Sequence, residues 1–173
     1  MKFNHFYKGT FYTCFASVFW GLPQPLIFNA ISYVPAIEVT MHRGIWSFIF
    51  LFLILVLFSK YSNLISVFSR KNIIILSITA SLITINWTGF IYAVGINRVQ
   101  DVSMGYYLTP MIHILLGYIF LKEKLTKFSL ISLMLMLLAI IYLIYSLKTF
   151  PYIAILIGTS WGVYGLLRKQ INV

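Results

Sequence analysis

Apolar residues run through the chain in long, nearly unbroken stretches, with polar residues gathered in the short gaps between them. Six such stretches are present: Gly9–Phe28, Val39–Phe58, Ile73–Val94, Val102–Leu121, Phe128–Leu147 and the shorter Pro151–Leu167. A run of about 20 apolar residues crosses the hydrocarbon core as a helix, because every backbone N–H and C=O must be satisfied within the segment when no water is at hand. The pattern therefore predicts an all-α, polytopic transmembrane helix bundle. The connections are three to fourteen residues long, which leaves no room for a soluble domain. The first run exceeds a secretory h-region, carries Pro23 and Pro25, and has no A-x-A cleavage site, so it is expected to be retained.

Composition strengthens this picture. Of 173 residues, 61% fall in the set AVILMFWYC and only 9% are charged, too little polar surface to coat a globule in water. The lipid bilayer is therefore the expected environment. The net charge of +10 needs its own explanation, because clustered basic residues can also mark nucleic-acid binding. Here the basic residues sit at helix ends in alternate connections. Lys2, Lys8, Lys60, Arg70, Lys71, Lys122, Lys124, Lys127, Arg168 and Lys169 fall on one side; Arg98 and Lys148 fall on the other. Lys and Arg in short loops stay in the cytoplasm, so both termini are expected there. No nucleic-acid partner is implied.

Candidate chemistry is sparse. The single cysteine, Cys14, excludes an intrachain disulfide, and His5, His42 and His113 have no metal-ligand spacing. No nucleophile with its base, no paired carboxylates and no phosphate loop are present, so neither an enzyme nor a metal or cofactor is expected.

Polar residues within the spans are the informative exceptions. Only the second span contains a Lys, Arg, Asp or Glu, namely Arg43, and it is preceded by Glu38 and His42. Glu38, His42 and Trp46 recur on one helical face with Arg43 and Ser47 beside them. Two readings stand: the ionisable groups snorkel to the interface, or they line a pathway for solute or protons. Glu38 is the acidic residue expected to govern function on the second reading. The fourth span places Tyr106, Pro110, His113 and Gly117 on one stripe, expected to face inward. Pro110 removes a mid-membrane hydrogen bond and should kink the helix. Gly105 and Gly117 are expected to serve close helix packing, while His113 can be a satisfied core histidine or a solute contact. Asn86, next to Trp87 in the third span, is either interhelical glue or a ligand contact. The fifth span has no unusual polar spacing and reads as structural or lipid-facing. Trp20-Gly21 in the first span is echoed by Trp161-Gly162 in the sixth, either by chance or as a trace of an internal repeat.

The same residues carry a family resemblance. Tyr33-Val34-Pro35-Ala36-x-Glu38-x-x-x-His42-Arg43-x-x-Trp46-Ser47, with Trp20-Gly21, Asn86-Trp87, Ala93-Val94, Ser103-x-Gly105-Tyr106-x-x-x-Pro110 and Gly117-x-x-Phe120-Leu121-x-Glu123, resembles RarD-type permeases. These belong to the EamA branch of the drug/metabolite transporter superfamily. The resemblance implies ten helices in two inverted five-helix repeats, with a small organic solute or metabolite passing between them by alternating access and a link by name to chloramphenicol sensitivity. Residues 1–147 would form the first repeat and residues 148–173 would begin a second. On that scheme four helices are lacking, so a second membrane chain supplying them, or a transport-inactive remnant, is the alternative expectation.

The charge asymmetry makes a direct prediction. With Cys14 replaced, cysteines placed in the Ser59–Asn72 loop should resist a membrane-impermeant thiol reagent in whole cells, and cysteines beside Arg98 should react. The reverse labelling pattern would overturn the orientation.

Overall fold

A computed structural model describes residues 2–58, 69–148 and 150–170; the loop that carries Lys60 lies outside the described residues. The described chain folds as helices α1 (Lys2–Gly21), α2 (Pro23–Ala30), α3 (Ala36–Leu57), α4 (Arg70–Gly95), α5 (Val99–Leu121), α6 (Lys127–Leu147) and α7 (Tyr152–Arg168). No strand occurs among the described residues.

The first apolar run, expected as one span, is two helices. Leu22 N–H still bonds to the Val18 carbonyl, but Pro23 and Pro25 have no N–H to continue the ladder, so the chain restarts with Pro23 in the first turn of α2. Four helices, α3 to α6, are long and apolar enough to cross a membrane by length and composition. Helix α7 has 17 residues and is the shortest of the later spans.

The helix ends are set by local chemistry. Ser69 Oγ and Thr126 Oγ1 accept from Asn72 N–H and Ser129 N–H, capping α4 and α6. Asn97, left-handed at φ 59°, turns the chain out of α4 while Arg98 N–H bonds to the Ala93 carbonyl at 2.7 Å. Polar side chains then group the ends. At one end Arg98 pairs with Asp101 at 2.6 Å and donates to Tyr152 Oη at 3.0 Å, while Asn29 Nδ2 donates to Asn97 Oδ1 at 3.2 Å. At the other, Lys169 Nζ meets Glu123 Oε1 at 3.3 Å. The two groups mark opposite ends of α5 and α7, as alternating spans require.

Helices α5 and α7 make the closest contact, and glycine makes it possible. A Cβ at Gly105 would lie 3.0 Å from the Ala154 carbonyl oxygen, and one at Gly158 would lie 3.0 Å from the Gly105 carbonyl oxygen. Ala154, Gly158 and Gly162 recur every fourth residue, the small-residue seam that lets helices approach where lipid removes any hydrophobic drive to associate. Around this seam lie Met104, Leu108 and Ala154, flanked by Ile112, Ile140 and Leu143. A second cluster joins Phe28, Val39, Phe90, Ile91, Val94, Val102 and Ile157.

The expected inward stripe of α5 meets the bundle at Tyr106, against Trp20 and Phe90, at His113, against Gly165, and at the buried Gly117, but not at Pro110. Asp101, Gly105, Leu108 and Thr109 are buried, whereas Pro110 and His113 are exposed and Tyr106 is half-buried; of the stripe only Gly117 is buried. The small-residue face wins the contact because it allows the shorter interhelical distance. Helix α5 continues as one element through Pro110. Helix α6 buries no residue of its apolar window and lies outermost, in keeping with the lipid-facing reading.

Overpacking this seam should be costly. Gly158→Leu is expected to destabilise the protein by roughly 1–3 kcal/mol, read as a lower midpoint of thermal unfolding in detergent. Gly21→Ala, at a position with nothing within 4 Å, should leave the midpoint unchanged. Equal midpoints for the two variants would overturn the close-packing account.

Candidate functional site

Arg43 lies two turns into α3, about 10 Å along its axis from Ala36. Its guanidinium carbon is 4.4 Å from the centre of the Trp87 ring and 5.2 Å from that of Phe28. Behind these rings Phe90 sits at the middle of an aromatic cradle, 5.7 Å from Phe28, 6.1 Å from Trp20 and 6.4 Å from Tyr106. Trp20 and Tyr106 meet edge to face at 5.9 Å. One side chain or more from each of α1 to α5 thus joins the cradle, with Phe28 and Trp87 against the cation itself. Thr40 Oγ1 and Thr88 Oγ1 at 3.1 Å tie α3 to α4 just beside it.

The chain has three acidic residues, and none neutralises Arg43. Asp101 is paired with Arg98 and Glu123 with Lys169, while Glu38 is exposed in the first turn of α3. No acceptor for the guanidinium N–H groups is found among the described residues. A cation at the middle of a membrane helix costs about 2.5–3.5 kcal/mol on insertion scales. A desolvated cation–π contact returns about 2 kcal/mol, so the rings offset much of the charge yet leave up to five N–H donors unused.

Those donors adjoin an open cleft of about 470 Å³ lined by Ile31, Val34, Val39, His42, Arg43, Trp46 and Ser47. Its size falls in the range of small-molecule sites, and its walls are apolar except for His42, Arg43 and Ser47. Among the described residues no three His, Cys, Asp or Glu side chains converge as a metal site would require.

The profile of the EamA-like transporter family matches residues 7–145. The chain belongs to this family. It is 34% identical over 170 residues to the uncharacterized transporter YojE of Bacillus subtilis, covering 96% of this chain and 57% of that protein. An uncharacterized transporter of Vibrio cholerae is 34% identical over 167 residues, 96% of this chain and 55% of its own. Protein RarD of Escherichia coli is 33% identical over 167 residues, 96% of this chain and 56% of its own. The RarD-type resemblance thus extends along almost all of this EamA chain, and the chain spans about half the length of the curated relatives it matches. No solved structure matches the chain.

Within this EamA domain the expected site residues separate into three places. Arg43, Trp20, Trp87 and Tyr106 meet in the cradle, and His42 and Trp46 share the cleft wall with Arg43. Asn86 is buried and donates from Nδ2 to the Ile157 carbonyl at 2.8 Å and to Ser160 Oγ at 3.0 Å, so it fastens α4 to α7. Glu38 stands outside the cradle. Pro110 is exposed on α5, whereas the imidazole of His113 lies against Gly165 of α7, where His113 and Lys169 help line a separate cavity of about 200 Å³. Sequence reasoning missed Phe28 and Phe90. Among 15 phenylalanines neither stands out, although Phe90 lies three residues beyond Trp87, on the face that Arg43 approaches.

The cradle should be dispensable for stability. Arg43→Met is expected to leave the unfolding midpoint unchanged or to raise it, since it removes a cation with no counter-charge. Asn86→Leu should lower the midpoint by the equivalent of about 1 kcal/mol, because the Ile157 carbonyl and Ser160 lose a donor. A large loss from Arg43→Met would make Arg43 a structural residue.

Proposed function

We propose that this chain is part of a transporter that moves a small organic solute or metabolite across the cell inner membrane, with both termini cytoplasmic and the Arg43 cradle as its solute-contacting wall. The single observation that carries this reading is Arg43 itself: a cation inside a membrane span, stacked on aromatic rings, with no carboxylate in the chain to meet it. Intramembrane ionisable groups of this kind are expensive and persist where they line pathways. Membership of a family of transporters points the same way.

Residues 1–147 form the first five-helix repeat and residues 148–173 open the second; the cleft is closed by a second repeat, on the same chain or on a partner. An open cleft at one side of the bundle supports this, since solute sites in inverted-repeat transporters lie between the repeats. The orientation is supported by the ten Lys and Arg residues at helix ends on the side of the termini against Arg98 and Lys148 on the other.

The reading is tested by reconstitution. Liposomes containing the protein, offered a defined mixture of radiolabelled carboxylic acids, amino acids, amines and neutral aromatic compounds, should take up at least one solute several-fold faster than liposomes containing Trp87→Ala. Uptake indistinguishable between the two, and from empty liposomes, for every solute would refute it.

A further inference from the structure

The cradle's chemistry narrows the solute to a class. We infer that the Arg43 cleft takes an organic anion, one carboxylate or similarly charged oxyanion on an apolar body; this rests on the cradle being the solute wall. Asp101 and Glu123 are paired elsewhere and the exposed Glu38 makes no ion pair with Arg43, so the guanidinium is a positive charge with no carboxylate partner whose planar N–H fork adjoins the cleft. Trp87 and Phe28 hold the guanidinium carbon from the ring side, at 4.4 and 5.2 Å. They leave its edge as the hydrogen-bonding direction, and a carboxylate matches such a fork with two parallel N–H···O bonds.

The rest of the cleft selects against other classes. Ile31, Val34, Val39 and Trp46 offer apolar contact, and Trp46 is 65% exposed, a large indole face without a partner ring. An organic cation would meet Arg43 with like charge and find no acidic side chain in the cleft. A sugar would find only Ser47 and His42 as further polar side chains, too few for several hydroxyls. An anion with an apolar body satisfies both the unused donors and the bare indole. Entry of the anion also neutralises the one charge inside the span, so binding removes a cost that the empty cleft carries.

The test compares isosteric probes on the purified 173-residue chain in lipid nanodiscs at pH 7.5 and fixed ionic strength. Equilibrium dialysis with radiolabelled 4-phenylbutyrate, 4-phenylbutyramide and 4-phenylbutylammonium, each corrected for binding to protein-free nanodiscs, measures affinity. The carboxylate should bind about tenfold or more tighter than the amide, the scale of a charge-assisted hydrogen bond, and the ammonium weakest of the three. Arg43→Gln should abolish the preference for carboxylate over amide, and Arg43→Lys should keep part of it. Trp46→Ala should weaken carboxylate and amide together and leave their ratio intact, which separates lost apolar contact from lost charge recognition. Far-UV circular dichroism and size-exclusion behaviour matching the wild type qualify each variant. Equal binding of carboxylate and amide, or a preference that survives Arg43→Gln, overturns the anion assignment while leaving a solute cleft in place. Failure of every probe to exceed protein-free nanodiscs overturns the cleft itself as the solute wall.

Discussion

Absence of side chains at three positions determines how the remaining helices are arranged. Gly105 and Gly158 let α5 and α7 approach until a carbonyl oxygen of one helix lies 3.0 Å from where a Cβ of the other would stand, and Gly162 makes room for the Ile112 side chain. In lipid there is no hydrophobic gain from bringing two apolar helices together, so the close van der Waals contact must supply the association. Asn86 then attaches α4 to the same α7 surface through its two N–H bonds, burying the amide completely. Helices α4, α5 and α7 thereby form one tightly packed unit whose internal contacts are backbone-close and polar-locked.

The aromatic cradle lies at the edge of that unit. Trp87, Phe90 and Tyr106 belong to it, whereas Arg43, Phe28 and Trp20 come from α1 to α3, which touch it through rings, the packing of Val39, one hydroxyl pair and the Asn29–Asn97 amide bond. Ring contacts tolerate sliding in a way that a glycine seam does not, because each offset or edge-on geometry is worth only about 1 kcal/mol and many are nearly equal. The site is therefore built where two groups of helices meet through aromatic rings.

Much of this was legible in the sequence, and the physical reasons for the remainder are specific. Lipid imposes a one-dimensional signal, so the apolar runs, their alternation and the peripheral position of α6 follow from hydropathy alone. Arg43 stood out because a charge within a span is rare, and Trp20, Trp87 and Tyr106 because the family pattern contains them. The break at Leu22 was written in Pro23 and Pro25 but masked by continuous apolarity. On α5 the polar stripe located Tyr106, His113 and Gly117 but not the glycine contact with α7 at Gly105, which close approach in lipid decides. The Trp-Gly pairs show the same limit: Gly21 has nothing within 4 Å, whereas Gly162 is pressed against Ile112 and Leu116. A dipeptide carries no information about which helix it will meet.

Charge placement completes the account. The bundle puts its ion pairs at its two ends: Lys169 with Glu123, exposed to water and worth little to stability, and Arg98 with the buried carboxylate of Asp101. Between those ends the only Lys, Arg, Asp or Glu within an apolar run is Arg43. A structural role would call for a carboxylate partner, as the ends of the same bundle demonstrate that this chain can provide. Aromatic rings in that place do something different: they lower the cost of the cation without occupying its hydrogen-bonding edge. A site that must bind and then release a charged molecule needs that combination, since a resident carboxylate would compete with every arriving anion and a bare cation would not persist in the membrane.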